Sequence, residues 1–209
     1  MNDVKNIIFD LGGVIINLNI KQTINDFNKL TEQNFETIYT QAQQIDLFSK
    51  FDKGQITTQQ FILELKIKLN YTGSDDDILN AWNAMILDIP EHRLNTLVKA
   101  KQHYNTFLLS NTCEPHINVF EHDLYNQHGV KHFKDYFDKL YYSCRIGMRK
   151  PDKEIFEFVL SQNKLNPSQT VFIDDSIQHV KAAGECGINA FLLEKNMELN
   201  DLLQKLHLL

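Results

Sequence analysis

The sequence is poor in cysteine, proline and glycine. It contains three cysteines, four prolines and eight glycines among 209 residues. Cys113, Cys144 and Cys186 are an odd number without CxxC spacing, which argues against a disulfide framework and a structural zinc site. With 43% hydrophobic residues, the chain is not disordered, collagenous or of low complexity. Scattered thiols are typical of cytosolic enzymes, and we expect a cytoplasmic location.

Long apolar runs and an excess of positive charge are also missing. The mean hydropathy is −0.34, and no apolar run approaches the ~18 residues that a membrane helix needs. Asp10 interrupts the apolar start of the chain, and no small-residue cleavage site follows, so a signal peptide is not expected. The net charge of −6 argues against nucleic acid as the main partner, because phosphate binding needs clustered Lys and Arg.

Alternating strand and helix patterns occupy most of the chain. Short apolar segments predict strands at 4–9, 106–110, 140–144, 170–174 and 188–193, and helical patterns separate most of them. Strands that alternate with helices predict a parallel sheet covered on both faces, which is an α/β, Rossmann-like core. The length allows a sizeable core and a smaller second unit.

Residues 17–88 have a helical pattern and no convincing strand. Thr57 and Ser74 are each followed three residues later by a side chain that completes a capping box. A further helix face is predicted from Phe35, Ile38, Ala42 and Ile45. These patterns predict two domains, an α/β core formed by 1–16 with 89–209 and a small helical cap formed by 17–88.

Polar residues follow three of the predicted strands, and a lysine lies in a nearby loop. In chain order they are Asp10, Ser110, Asn111, Lys150, Asp174 and Asp175. We expect them to converge, because ligands bind at the carboxyl ends of parallel strands. Three carboxylates so close together would raise one another's pKa unless a cation lay among them, and oxygen ligands select a hard cation such as Mg²⁺.

The same set of side chains is suited to phosphoryl transfer. A metal ion and an ammonium group neutralise the phosphoryl oxygens, and a hydroxyl orients them. A carboxylate that is free to attack phosphorus would then form an aspartyl-phosphate. The expected partner is therefore a small phosphate ester, and we expect a monomer or weak homodimer.

Four segments, FDLGGVI, LLSN, MRKPD and VFIDDS, resemble the four motifs of the haloacid dehalogenase-like hydrolases. The resemblance covers essentially the whole chain, including the cap inserted after the first motif. It is strongest to the bacterial α-D-glucose-1-phosphate phosphatases, through the FDLGGVI start, the KGQIT turn, SNT and GMRKP. The phosphatase domain of soluble epoxide hydrolases is a more distant likeness. The resemblance implies a Mg²⁺-dependent phosphatase that acts on a small metabolite such as a sugar phosphate.

The resemblance also implies a role for each motif residue. Asp10 would accept the phosphoryl group, and Ser110 and Lys150 would grip it with Asn111 alongside. The implied Mg²⁺ ligands are the Asp10 carboxylate, the Gly12 carbonyl and Asp175, with Asp174 binding directly or through water.

Gly12 departs from the family pattern. Most phosphatases of this superfamily carry a second Asp two residues after the nucleophile, where it acts as general acid and base. Its loss lowers the rate of a step that needs proton transfer by ~10²–10⁴-fold. Either the substrate has a good leaving group, as an anomeric sugar phosphate does, or another group from the cap or the substrate handles the proton.

Two other functions fit part of the pattern. In 2-haloacid dehalogenation the same Asp attacks carbon without a metal, and Gly12 is compatible with that reaction. The acidic pair at Asp174 and Asp175 and the lack of an aromatic residue after Asp10 count against it. A non-catalytic binding protein could keep the fold without the second Asp, but the intact Asp10, Lys150 and Asp175 count against that function.

Several polar side chains outside the motifs have two interpretations. Cys113 with His116 could form a nucleophile and base, although a buried cysteine usually packs. Asp52 and Lys53 of the cap turn could face the substrate or be ordinary turn residues. The two arginines that flank Lys150, Arg145 and Arg149, could attract an anionic substrate or be surface charge. A metal site is not expected from the irregularly spaced His116, His122, His128 and His132.

Overall fold

A computed structural model describes residues 3–32, 34–37, 39 and 46–209. Three residues of the helix face predicted after Phe35 lie outside this set, namely Ile38, Ala42 and Ile45. Phe35 itself is buried.

The described residues form a sheet of five parallel strands in the order β3-β2-β1-β4-β5. The strands are β1 Asn6–Phe9, β2 Asn105–Ser110, β3 Lys139–Tyr142, β4 Thr170–Asp174 and β5 Asn189–Leu192. The predicted α/β fold with a parallel sheet is confirmed. Phe9 pairs with Leu108 on one side and with Ile173 on the other, so the carboxyl ends of the three central strands meet at one edge.

Ten α-helices lie in the described part of the chain. Their bounds are α1 Ile20–Leu30, α2 Leu47–Asp52, α3 Thr58–Leu69, α4 Asp75–Asn83, α5 Glu91–His103, α6 Glu114–His128, α7 Ser143–Ile146, α8 Lys153–Asn163, α9 Ile177–Glu185 and α10 Leu199–Lys205. Short 3₁₀ turns cover Phe133–Tyr136 and Pro167–Gln169. None of the helices in these described segments is long and apolar enough to cross a membrane.

The predicted capping boxes start α3 and α4. The Thr57 hydroxyl accepts from the Gln60 backbone N–H at 3.2 Å, and the Gln60 side chain accepts from the Thr57 N–H at 2.8 Å. Ser74 and Asp77 form the same reciprocal pair. Both boxes satisfy backbone donors that a helix start leaves free.

The predicted strand at 140–144 ends earlier than expected. The segment 140–144 leaves the sheet after Tyr142, and Ser143 begins α7. The Ser143 hydroxyl donates to the Thr112 carbonyl at 3.1 Å and accepts from the Thr112 N–H at 2.9 Å. This contact ties the end of β3 to the loop after β2, which a local β-propensity pattern does not reveal.

The sheet is the middle of three layers. Successive side chains on a strand point to opposite faces, so Ile7 and Phe9 pack on one side of the sheet and Ile8 on the other. Buried residues of α5, α6 and α10 cover the first face. Buried residues of α8 and α9 cover the second.

A separate, largely aromatic cluster lies among α1–α4. Phe51 stacks on Phe61 with ring centroids 3.9 Å apart, and Trp82 lies 5.4 Å from Phe48. Cys113, at the start of α6, is the member of this cluster that comes from 89–209. The division into core and cap domains at the stated boundaries stays a prediction.

Two chain segments connect α1–α4 to the sheet, and they pair with each other. The Asn17 N–H donates to the Asp88 carbonyl at 3.0 Å, and the Leu87 N–H donates to the Asn17 carbonyl at 3.0 Å. The Asn19 N–H continues the pairing with the Met85 carbonyl at 2.9 Å. The outgoing and returning connections therefore form one short antiparallel ladder.

Candidate active site

Lys150 joins the carboxylates that follow β1 and end β4. Its Nζ lies 2.7 Å from Asp10 Oδ1 and 2.6 Å from Asp174 Oδ2. Lys150 and Asp174 are fully buried, and Asp10 is only 7% exposed. The strand register accounts for this meeting, because the residues after the paired Phe9 and Ile173 reach the same edge.

The two carboxyl groups have different proton affinities. Burial raises the pKa of Asp10 to about 7 even though Lys150 works against it. Burial also acts to raise the pKa of Asp174, but Lys150 and His179 outweigh it and hold that pKa at about 2. Burial alone would lower the pKa of Lys150, yet the charges of Asp10 and Asp174 raise it. Lys150 is therefore a firmly charged ammonium, whereas Asp10 lacks full compensation.

Asn111 holds the main chain of Lys150. Its side-chain oxygen accepts from the Lys150 N–H at 2.9 Å, and its amide nitrogen donates to the Lys150 carbonyl at 2.8 Å. The lysine is thereby fixed to the loop after β2. Ser110 precedes Asn111, ends β2, is buried and lines the neighbouring cavity.

His179 is a member of the cluster that the sequence analysis missed. Its Nδ1 lies 2.9 Å and 3.0 Å from the two oxygens of Asp174. Donor atoms of Asp10, Asp174 and His179 lie within 4.8 Å of one another. His179 belongs to the first turn of α9, the helix that follows the acidic pair. This position in the sequence could have been used to predict that His179 lies near the two acids.

Asp175 lies at the same edge, against the loop after β1. Gly13 has a φ of +71°, and a Cβ there would collide with the Asp175 carboxylate. Part of Asp175 is open to solvent, but partial burial and the charge of Asp174 raise the pKa of its carboxyl. The close approach explains a glycine at position 13, because glycine alone combines this φ with the missing Cβ.

The acidic donor set fits a hard divalent cation. Asp10, Asp174 and Asp175 offer carboxylate oxygens, which Mg²⁺ prefers. Lys150 brings one positive charge to this group, and the pKa of Asp10 still rises to about 7. A second cation among these oxygens would keep Asp10 ionised.

A cavity of about 190 Å³ opens beside this edge. Its lining is mainly apolar, with Leu18 and Trp82 among the contributing residues, and Gly12, Ser110 and Asn111 form part of its polar side. Asp52, the last residue of α2, also lines it. Burial raises the pKa of Asp52 to about 6 in spite of Arg149, whose Nη2 lies 3.3 Å from Asp52 Oδ2.

The other charged candidates are engaged elsewhere. Lys53 forms an ion pair with Asp152 at 2.9 Å. Arg145 binds Glu114 through two contacts of 2.8 and 3.0 Å at the surface. Only Asp52 of the two cap-turn candidates therefore reaches the cavity in the described structure.

Cys113 and His116 have packing roles. The Cys113 thiol accepts from the Trp82 indole N–H at 3.4 Å, and burial raises its pKa to about 12. The His116 ring stacks on Trp82 at 5.1 Å and its Nε2 lies 3.2 Å from the Trp82 carbonyl. Burial lowers the pKa of His116 to about 4. Near neutral pH the Cys113 thiol therefore keeps its proton and the His116 ring is uncharged.

The chain matches known proteins over most of its length. Residues 4–187 match the family of haloacid dehalogenase-like hydrolases. D-ribitol-5-phosphate phosphatase of Bacteroides thetaiotaomicron is 27% identical over 203 residues, 93% of this chain and 94% of that protein. A sesquiterpene phosphatase of Aspergillus oryzae is 27% identical over 183 residues, 87% of this chain and 85% of that protein.

A solved structure agrees with the fold. An HAD-family enzyme from Bacteroides thetaiotaomicron, in complex with magnesium and inorganic phosphate, is 34% identical with a TM-score of 0.84. The similarity covers 95% of this chain and 98% of that one. The resemblance to the glucose-1-phosphate branch is not confirmed at that level of detail. The family match and the shared fold together show that the chain belongs to the haloacid dehalogenase-like hydrolases.

Proposed function

We propose that the protein is a Mg²⁺-dependent phosphatase that hydrolyses a small phosphate monoester through an aspartyl-phosphate on Asp10. The observation that carries this proposal is the buried Lys150 ammonium, which lies 2.7 Å from Asp10 and 2.6 Å from Asp174. A buried cation held between two acids at the carboxyl edge of a parallel sheet is suited to an anionic group.

In this proposal Asp10 is the nucleophile. One of its oxygens attacks phosphorus, the bond from phosphorus to the ester oxygen breaks, and the alcohol leaves. Water then attacks the aspartyl-phosphate and releases inorganic phosphate, which restores Asp10. Lys150 orients the Asp10 carboxylate and, with the Ser110 hydroxyl, binds phosphoryl oxygens. Asn111 keeps Lys150 in place through the two main-chain hydrogen bonds.

Mg²⁺ would be held by the Asp10 carboxylate, the Gly12 carbonyl and the acidic pair of Asp174 and Asp175. The ion would neutralise charge on the phosphoryl group. Support comes from the Asp10 and Asp174 carboxylates, whose donor atoms lie with one of His179 within 4.8 Å of one another, and from the similar enzyme solved with magnesium and inorganic phosphate. His179 orients Asp174 through its Nδ1.

The finer proposal for the substrate is a sugar phosphate such as α-D-glucose 1-phosphate. The similarity to a D-ribitol-5-phosphate phosphatase supports a polyol or sugar ester, and the cavity of about 190 Å³ supports a small molecule. Because apolar side chains dominate the lining and another relative is a sesquiterpene phosphatase, a prenyl phosphate belongs in the test panel. The cytoplasmic location and the monomer or weak homodimer stay predictions.

The test compares the wild type with Asp10→Asn. Phosphate release is measured from p-nitrophenyl phosphate, α-D-glucose 1-phosphate, D-ribitol 5-phosphate and a prenyl monophosphate, with excess Mg²⁺ or with EDTA. We expect the wild type to release phosphate only with Mg²⁺, and the variant to lose ~10³-fold or more with an unchanged fold. Asp201→Asn, at an exposed position of α10, is the matched control.

Two results would contradict the proposal. If Asp10→Asn retained the wild-type rate, Asp10 would not be the nucleophile. If the protein released chloride from a 2-chloro acid in the presence of EDTA and had no phosphatase activity, it would instead be a dehalogenase.

A further inference from the structure

Asp52 is the carboxylic acid that the cap brings to the cavity. Among the described residues that line this cavity, it is the only one with a carboxyl side chain. Gly12, Ser110 and Asn111 line the same space. An acid from the cap therefore shares one small cavity with the loop in which position 12 lacks a side chain.

The structure fixes the position of the Asp52 side chain. The Arg149 Nη2 lies 3.3 Å from its Oδ2, and Arg149 immediately precedes Lys150 in the chain. The next cap residue, Lys53, binds Asp152 at 2.9 Å. Gly54 has a φ of +62°, and a Cβ there would collide with the Cys144 carbonyl. The whole turn is thus docked against the loop that carries Lys150.

We propose that Asp52 is the general acid of the phosphatase reaction and donates a proton to the ester oxygen of the leaving alcohol. The inference rests on the proposed function, and it assigns the role that Gly12 has no side chain to perform. It also gives the cap a part in the chemistry besides covering the substrate.

The proton and bond changes balance without a further reagent. As the Asp10 oxygen bonds to phosphorus, the bond from phosphorus to the ester oxygen breaks. The Asp52 carboxyl transfers its proton to that oxygen, so a neutral alcohol leaves. In the second step, the Asp52 carboxylate accepts a proton from the water that attacks the aspartyl-phosphate. Inorganic phosphate leaves, and Asp52 is again an acid.

The electrostatic surroundings suit this role. Burial raises the pKa of Asp52 to about 6, with Arg149 opposing the rise, which brings this pKa closer to the neutral pH at which a general acid must hold a proton. Tyr39, Cys113 and His116 are the other titratable residues that lie around this acid, and Lys53 follows it in the chain, paired with Asp152. The pKa of Cys113 is about 12 and that of His116 about 4, so both of these groups are neutral around pH 7.

The Nε of Arg149 is buried and has no hydrogen-bond partner among the described residues. Its Nη2 lies 3.3 Å from Asp52 Oδ2, so the guanidinium holds the acid in place.

The test separates substrates by leaving group. Asp52→Asn and the wild type are compared by kcat/KM on p-nitrophenyl phosphate, whose phenolate leaves easily, and on D-ribitol 5-phosphate, whose alcohol needs a proton. The value of kcat/KM depends only on the steps up to release of the alcohol, so the later hydrolysis of the aspartyl-phosphate does not affect it. We expect a loss of ~10²–10⁴-fold for the alkyl ester and less than ~10-fold for the aryl ester.

Controls separate acid chemistry from cap docking. Asp152→Asn breaks the adjacent Lys53 ion pair, and we expect it to change both esters by the same small factor. Asp52→Glu should recover part of the alkyl-ester rate. In the wild type, kcat/KM for the alkyl ester should fall above about pH 6, as Asp52 loses its proton, and Asp52→Asn should lack this fall.

Equal losses on both esters in Asp52→Asn, with an unchanged pH profile, would overturn the inference and leave Asp52 as a docking residue. An Asp52→Glu variant no better than Asp52→Asn would overturn it as well. A different result, a wild type that releases phosphate from neither ester, would refute the proposed phosphatase and is distinguishable from both.

Discussion

The sheet edge and the cap turn each bury an aspartate beside a cation, yet the pKa values of the two carboxyl groups differ. Asp174 accepts from Lys150 at 2.6 Å and from the Ser176 N–H at 2.7 Å, with His179 at 2.9 Å, and its pKa is held at about 2. Asp52 has Arg149 at 3.3 Å, and burial raises its pKa to about 6. The number and closeness of donors, more than burial itself, decide which acid has the lower pKa.

The two regions also depend on different forces. At the sheet edge, the buried ammonium of Lys150 compensates two acids. At the junction of cap and core, uncharged rings pack together, with His116 stacked on Trp82. We therefore expect the loss of a charge to lower the stability of the fold most at the sheet edge, and the gain of a charge to lower it most at the junction.

The largest expected effect comes from Lys150→Met. The substitution leaves Asp10 and Asp174 buried without their shared cation, and breaking a buried ion pair in this way costs about 3–5 kcal/mol. We expect a loss of that size in the free energy of unfolding, measured by urea denaturation, together with loss of phosphate release. Lys153→Met removes a solvent-exposed pair with Glu185 and should leave the midpoint almost unchanged. Equal stability of the two variants would break the comparison.

An effect of intermediate size on stability is expected from protonation of His116, and it depends on pH. Burial lowers its pKa from 6.5 to about 4, so between these values the unfolded chain binds a proton that the folded chain does not. Its contribution to stability is complete above pH 6.5 and is lost as the pH falls toward 4, by about 3 kcal/mol at most. His116→Phe should show a smaller loss of stability between pH 7 and pH 4.5 in denaturant titrations. Parallel pH profiles for the two proteins would contradict this expectation.

The smallest change in stability is expected for Gly12→Asp. The φ of Gly12 lies outside the left-handed region, and a new Cβ would meet the end of the flexible Leu18 side chain, with Cδ1 at 2.6 Å. We expect a cost below about 1 kcal/mol. In the Asp52→Asn background, which lacks the proposed acid, we expect a rise of up to ~10²-fold in kcat/KM for alkyl esters, with little change for p-nitrophenyl phosphate. A variant that unfolds would show that position 12 needs glycine for its backbone.

Much of the fold was accessible from the sequence because its signals are local. The period-2 and period-3.6 patterns, the capping boxes at Thr57 and Ser74 and the acids after β1 and β4 all lie within short windows. Parallel pairing then brings the strand ends together, so the meeting of Asp10 with Asp174 follows from the fold class.

The contacts that sequence reasoning missed join residues far apart in the chain. The hold of Asn111 on Lys150 depends on how two loops meet. The pair of Asp52 and Arg149 depends on how the cap docks, which no local pattern encodes. The position of His179 required knowing which side of α9 faces the acids.

The ladder between residues 17–19 and 85–88 has a mechanical consequence. The two connections to the cap share main-chain hydrogen bonds, so a movement of one connection would also move the other. Arg93 clamps this ladder further, since its Nη1 donates to Asn17 Oδ1 at 3.0 Å. Any displacement of α1–α4 relative to the sheet would therefore have to bend or break both connections together, and Asp52 would move with them.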